Sequence, residues 1–203
     1  MTRFDVAIIG LGAMGSAISW RLGKRDARIA AFDRLEPPHT MGSSHGRTRI
    51  IREAYYEHPL YVPLVRSAYD LWDDLERESG VKLRLRTGGL MVGRETGALV
   101  RGALQSAVAH HIEHELLDAA ELTRRFPAYV AGSDAVALLE TRAGMLFPER
   151  CIEAQIGRAR ASGVEMHLNE EVDQCVVSSG GVTLNTRSGS YEADRVVLAA
   201  GPW

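Results

Sequence analysis

Phe4-Asp5-Val6-Ala7-Ile8-Ile9-Gly10-Leu11-Gly12-Ala13-Met14-Gly15 decides the fold. An apolar run of strand character leads straight into a glycine turn. Met14, Ala17, Ile18 and Leu22 then recur at helical spacing, which predicts strand, turn and helix in that order with these four on the packing stripe. A second apolar run, Ile29-Ala30-Ala31-Phe32, ends in Asp33, a little over ~20 residues after the first glycine. That is where a dinucleotide site needs an acid for a ribose hydroxyl.

Each glycine has a physical task. Gly10 permits the tight turn, Gly12 removes a side chain that would hold the backbone off a pyrophosphate, and Gly15 lets the helix lie close on the sheet. The N–H groups of Ala13 and Met14 open the helix, whose positive dipole end favours phosphate. A glycine turn alone is a weak signal, but both flanking strands and Asp33 are in register with it. Asp33 favours a ribose with a free 2′-hydroxyl over a 2′-phosphate, which it would repel. That leaves FAD or NAD. Arg34, next to the acid, is grouped with the expected cofactor contacts.

The bulk properties exclude several classes. The 203 residues are 45% hydrophobic with a net charge of −2, as in an ordinary globular protein of one or two domains. There is no basic excess for nucleic acid. No apolar stretch reaches the ~18 residues of a membrane span, and no basic-then-apolar leader is seen, so a cytoplasmic location is the default expectation. Cys151 and Cys175 share no metal-ligand spacing and read as a buried helix residue and a strand residue. His110, His111 and His114 are read as a solvated helix end, not a metal site.

After Asp33 the chain turns polar and rigid, from Pro37-Pro38 through Met41-Gly42-Ser43-Ser44-His45-Gly46-Arg47. Prolines forbid helix, while glycines and small hydroxyl residues permit a close wrap around a ligand. Thr48-Arg49-Ile50-Ile51-Arg52 follows. Its two arginines three apart are expected on one side of a helical turn, beside a partly buried surface where they need anions. A helix over 61–79 should bury Leu64, Ala68, Leu71, Trp72 and Leu75. One from about 97 to 111 should bury Val100, Ala103, Leu104, Ala107 and Val108.

Residues 83–92 read as strands, and Asp118 with Glu121 forms a capping-box pattern that starts a helix ending near Phe126-Pro127. Short strands are expected at 135–140 and 144–147, a helix from Pro148 to Ser162, and a strand at 164–167. A hairpin turns at Ser179-Gly180-Gly181. Arg195 to Gly201 reads as a buried strand whose closing glycine brings backbone close to a cofactor. Nucleotide-binding elements therefore lie at both ends, 1–80 and 148–203, around an inserted piece, 81–147. A plain NAD dehydrogenase has two consecutive halves instead, so the split favours FAD.

The stretch Pro37 to Arg52, with Tyr61-Val62-Pro63-Leu64, Arg86-Thr87-Gly88-Gly89-Leu90, Gly144-Met145-Leu146 and Ala199-Ala200-Gly201-Pro202-Trp203, resembles the monomeric sarcosine oxidase and N-methyl-tryptophan oxidase family of flavoenzymes. The resemblance covers the whole chain. It implies an α/β fold: a Rossmann-like FAD-binding domain of the glutathione-reductase type with an inserted α+β piece of a substrate domain. It further implies oxidation of the C–N bond of a secondary or N-methyl amino acid to an imine, with dioxygen reduced to peroxide, by a protein monomeric at full length. Carried over by position, Arg52 holds the substrate carboxylate, and His45, Thr48 and Arg49 lie close to the flavin ring. Ser43 and Ser44 sit near the cofactor, with the Val172 backbone near its adenine.

Two departures stand out. Arg47 replaces the family's usual Asp, and the chain stops about halfway along a typical member. The family's flavin-attaching cysteine and oxygen-linked lysine would fall beyond Trp203, and neither Cys151 nor Cys175 matches that cysteine. The chain alone is therefore expected to be weakly active or inactive. Two readings compete with this one: a related flavin oxidase or dehydrogenase of glycine, D-amino or cyclic imino acids, and a non-catalytic nucleotide-binding fragment.

Overall fold

The computed structural model describes residues 2–203. In chain order the elements are β1 (Arg3–Ile9), α1 (Ala13–Leu22), β2 (Ile29–Asp33), β3 (Arg49–Ile51), α2 (Tyr61–Ser79), β4 (Arg84–Arg86), β5 (Gly89–Arg94), α3 (Ala98–Ala109) and β6 (His114–Asp118). Then follow α4 (Ala119–Arg125), β7 (Ala135–Glu140), β8 (Gly144–Leu146), α5 (Pro148–Ala161), β9 (Glu165–Leu168), β10 (Val172–Ser178), β11 (Gly181–Thr186) and β12 (Ser190–Leu198). The chain divides into two compact units: Met1–Arg47 with Leu75–Leu83 and Phe147–Trp203, and Thr48–Asp74 with Arg84–Leu146.

The first unit is built on a six-stranded sheet in the order β10-β11-β12-β1-β2-β9. β12, β1, β2 and β9 run parallel, and β10, β11 and β12 form an antiparallel meander. β1 and β2 read as continuous apolar runs because both their faces are covered. Ile8, Ile29 and Ala31 pack with Ile152, Ile156 and Val164 on one side, and Phe4, Ala7, Ala30 and Phe32 with Leu184 and Ala193 on the other. Pro148 opens α5, its missing N–H costing nothing at a helix start. Gly163, at φ +89°, ends that turn.

Two expectations fail here. α1 buries Gly15, Ser16, Ser19 and Trp20 and lays Ile18 and Leu22 against the core as expected, while Met14, expected on the same stripe, is 73% exposed. Gly15, Ser16 and Ser19 face inward where α1 lies close to its neighbours: Ser16 Oγ meets Gln155 Oε1 of α5 at 2.7 Å. The last strand is not buried either. It ends at Leu198, which is 74% exposed, and only Ala193 within it is fully buried.

The second unit carries two antiparallel three-stranded sheets, β3-β8-β4 and β5-β7-β6. Its core joins Ala54, Val62, Met91, Ala103, Ala107, Ile112 and Leu138, with a second cluster of Leu117, Leu122, Ala137 and Leu139. Asp118 caps α4 by accepting from the Glu121 N–H at 2.8 Å. α3 buries Val100, Ala103 and Ala107, but Val108 is 60% exposed, at the edge of the packed stripe.

In α2 the buried residues are Val62, Tyr69 and Leu75. Leu64 is exposed, two residues past Val62 and so on the far side of the helix, and Trp72, between Tyr69 and Leu75 on the packed side, is half-buried. Arg49 lies in a strand, so it and Arg52 do not share a helical face. Pairing with Met145 and Leu146 of β8 overrides the spacing. His114 likewise opens β6, although His111 remains exposed. No described helix is long and apolar enough to cross a membrane.

Candidate functional site

A cavity of about 470 Å³ opens in the first unit where β1, β2 and β12 end and α1 begins. Gly10, Gly12, Ala13, Met14, Asp33, Arg34, Ser43, Ser44, Val172 and Gly201 all line it, together with His39, Glu170, Glu171, Pro202 and Trp203. Its size lies within the ~300–1,000 Å³ of small-molecule and cofactor sites.

The turn is held by backbone. The Gly10 N–H donates to Phe32 O at 2.8 Å, and the Ala199 N–H to Ile9 O at 2.8 Å, tying three strand ends together. Gly10 has φ +92°, and a Cβ there would lie 2.6 Å from Ala199 O. Gly15 is not part of the lining but sits beneath it, where a Cβ would lie 1.7 Å from Gly10 O. Gly12 leaves the α1 N-terminus bare, so a ligand can approach the helix backbone. The Ala13 N–H points to Ser44 Oγ at 3.1 Å, a hydroxyl acceptor at a helix end suited to an anion.

Asp33 is buried at the end of β2. Its Oδ2 accepts from the Leu11 N–H at 2.8 Å and its Oδ1 from the Leu35 N–H at 3.0 Å, with His39 Nε2 3.5 Å from Oδ1. The acid thus fastens the glycine turn as well as facing the cavity. Oδ2, with one partner, keeps a second lone pair for a ribose hydroxyl.

The opposite wall is fixed by a polar and aromatic cluster. His167 stacks on Phe32, ring centroids 4.4 Å apart and 11° from parallel, with Tyr191 edge-on to both. Glu170 receives Thr186 Oγ1–H at 2.6 Å and Tyr191 O–H at 3.0 Å on one oxygen, and His167 Nδ1 lies 3.0 Å from the other. Burial pushes the Glu170 carboxyl up, but these hydrogen bonds outweigh it and hold it below the usual carboxylate range. Burial and the neighbouring Glu170 raise the Tyr191 phenol. At the rim the Arg34 guanidinium lies 4.1 Å from the Trp203 ring centroid, and Trp203 Nε1–H donates to Met41 O at 3.1 Å.

The remaining candidates stand elsewhere. His45 belongs to the first unit and donates Nδ1–H to Gly42 O at 2.6 Å, bracing the loop that carries Ser43 and Ser44. Thr48, Arg49 and Arg52 fall in the second unit. Arg49 Nη1 donates to Thr48 O at 2.8 Å. The Arg52 guanidinium lies over Tyr55 and Tyr56, at 4.7 and 5.7 Å from their centroids, with Glu57 3.5 Å away and a buried Nε that lacks a hydrogen-bond partner.

His39, Glu170 and Trp203 were absent from the sequence-based set. Proximity of His39 to the acid-ended strand is the one local signal that could have found any of them.

The residues fit a flavin dinucleotide: a tight glycine turn with no room for a Cβ at Gly10 or Gly15, a helix start at Gly12 with no capping side chain of its own, and an acid at the end of the second strand. Comparison with known proteins agrees. The family model described as FAD dependent oxidoreductase matches residues 5–203. Monomeric sarcosine oxidase of Streptomyces avermitilis is 40% identical over 200 residues, covering 98% of this chain and 52% of that protein. N-methyl-L-tryptophan oxidase of Salmonella heidelberg is 33% identical, covering 99% and 54%. The solved structure of NikD, an unusual amino acid oxidase essential for nikkomycin biosynthesis, superposes with a TM-score of 0.89 at 26% identity, over 100% of this chain and 52% of that one. The chain spans about half the length of the relatives it matches.

Proposed function

The chain belongs to the family of FAD dependent oxidoreductases, and from that premise we propose that it supplies the cofactor cradle and the carboxylate anchor of an oxidase acting on a secondary or N-methyl amino acid. The observation that carries the reading is the cradle itself, with Gly10, Gly12 and the α1 N-terminus on one side and Asp33 on the other. The similarity to monomeric sarcosine oxidase supports the substrate class.

Bound FAD would supply the acceptor for a hydride from the carbon next to the amine and the route by which its electrons reach dioxygen as peroxide. The protein's share is binding and orientation. The backbone N–H groups at the start of α1 neutralise the pyrophosphate, Ser43 and Ser44 line the approach to it, and Asp33 accepts a ribose hydroxyl. Val172 and Gly201 offer backbone contacts to the dinucleotide.

Arg52 pairs with the substrate carboxylate. Its guanidinium suits that task because the stacked tyrosines desolvate it and its buried Nε–H lacks an acceptor of its own. Arg49, Thr48 and His45 set the positive and polar surroundings of the flavin ring, which favour the negative charge that reduction brings. With about half the length of its relatives, the chain by itself is expected to turn over weakly or not at all.

The test joins this chain to the remaining half of the Streptomyces avermitilis protein and follows peroxide release with sarcosine, N-methyl-tryptophan, glycine, D-alanine and L-proline. Turnover of sarcosine or N-methyl-tryptophan ahead of the others supports the reading. Preference for glycine, D-alanine or proline would assign the chain to a sister substrate class. A flavin-loaded but inert chimera would leave it a nucleotide-binding module.

A further inference from the structure

Glu140 closes the apolar run Ala135-Val136-Ala137-Leu138-Leu139 at the end of β7, the central strand of its sheet. It is completely buried, a costly place for a carboxylate without compensation. Its oxygens accept from two consecutive backbone amides, Glu53 N–H at 2.7 Å and Ala54 N–H at 2.8 Å. With both oxygens engaged and no exposure to solvent, Glu140 is badly placed to take a proton from a substrate.

What it grips is more telling. The Glu53 N–H belongs to the peptide unit that starts at the Arg52 carbonyl, so the hydrogen bond fixes the backbone from which the Arg52 side chain departs. The Glu53 side chain is held separately, by Arg66 at 2.9 Å and Arg142 at 2.7 Å. Burial and the charge of Glu53 raise the Glu140 carboxyl, while the two amides and the positive Arg52 pull it down. Glu140 and Arg52 are thus coupled through both backbone and field.

We propose that Glu140 is a positioning residue for Arg52, which by holding the Glu53 and Ala54 amides sets the direction in which the guanidinium meets the carboxylate of an amino acid. The inference rests on Arg52 being that carboxylate's anchor. It adds a third participant, 88 residues further along the chain, that touches neither substrate nor cofactor.

The test uses the whole chain, isotopically labelled, with sarcosine as the probe. Nuclear magnetic resonance reads hydrogen exchange at the Glu53 and Ala54 amides, the line shape of Arg52 Nε–H, and sarcosine affinity. In Glu140→Gln the side-chain NH2 must face one of the two amides. Exchange at Glu53 and Ala54 should rise, Arg52 Nε–H should average, and sarcosine should bind on the order of tenfold more weakly. Leu138→Ala, a cavity variant in the same strand, should lower the melting temperature and leave sarcosine affinity within about twofold.

Equal loss of affinity in Leu138→Ala would reduce Glu140 to a merely structural part and overturn the proposal. Arg52→Met separates the two ideas. If it weakens sarcosine and Glu140→Gln does not, the positioning role fails while the anchor stands. If Arg52→Met leaves sarcosine binding unchanged, the anchor itself fails, and the Arg52 Nε–H line shape in Glu140→Gln still decides whether Glu140 orders that side chain. Should Glu140→Gln not fold, the unmodified chain decides: Glu53 and Ala54 amides exchanging as fast as exposed ones overturn the proposal.

Discussion

Replacing Gly15 with alanine asks whether the cradle depends on the closeness of α1 to the turn. The new Cβ would lie 1.7 Å from Gly10 O and 2.8 Å from Gly10 C, against a floor of 3.0 Å for real contacts. Both are backbone atoms, so no side chain can swing aside, and the helix start must retreat by about 1.3 Å to restore that floor. Overpacking of this kind costs typically ~1–3 kcal/mol, or a fall of roughly 2–12 °C in melting temperature for a chain of this size.

The same retreat draws the α1 N–H groups away from the pyrophosphate. Losing one charge-assisted hydrogen bond of ~1.5–3 kcal/mol weakens FAD by about 10- to 150-fold. Flavin fluorescence titration and a thermal melt on Gly15→Ala read both quantities. FAD affinity within about twofold of the unmodified chain, with an unchanged melting temperature, would refute the reasoning that Gly15 is what lets the helix reach the phosphates.

Three further outcomes are expected. Asp33→Ala strands the Leu11 and Leu35 amides and should cost roughly 2–4 kcal/mol in urea unfolding while weakening FAD. Burial pushes Glu78 up, but hydrogen bonds from Lys24 and Trp20 outweigh it, so its folded pKa lies below the unfolded value. Its stabilising share is therefore present above the ordinary carboxylate pKa of about 4.3 and is lost as pH falls through the lower folded value. Glu78→Gln should destabilise the protein near neutrality and match it in acid, as read from urea midpoints against pH. Cys151, buried and pushed up to about 12, should resist alkylation until the protein unfolds, whereas the exposed Cys175 should react in the native state.

The cradle was legible because its signals are local. An apolar run, three spaced glycines and an acid ending the next strand each act within one supersecondary unit, and all fall within 33 residues. Arg49 and Arg52 mislead for the opposite reason. Their spacing suits a helix, but β3 exists only through its pairing with β8, which runs from Gly144 to Leu146. An apolar count puts Met14 inward with Ile18 and Leu22, whereas α1 packs through those two with Gly15, Ser16, Ser19 and Trp20 and turns Met14 toward the cavity.

The Glu140 clamp had one visible trace, a charge at the end of an otherwise apolar strand. Its partners are backbone amides 86 and 87 residues away, and an N–H leaves no mark in the alphabet of side chains. The same holds for the cavity wall, where Glu170, His167 and Tyr191 meet only because β9 and β12 flank β1 and β2.

The pairing of β1 with β12 sets a timetable. Ile9 lies beside Leu198, 189 residues later, and the Ala199 N–H completes the bonding at the turn. A ribosome adding ~5–20 residues per second needs roughly 10–40 s to cover that interval. Through it the nascent chain carries β1 with one edge unpaired, a template for wrong partners. The wall of the cradle that Ala199 to Trp203 supply is also missing until the end of that wait. The cradle therefore cannot close until that interval has passed, and what protects the open edge of β1 in the meantime governs how much of the protein survives to bind a cofactor.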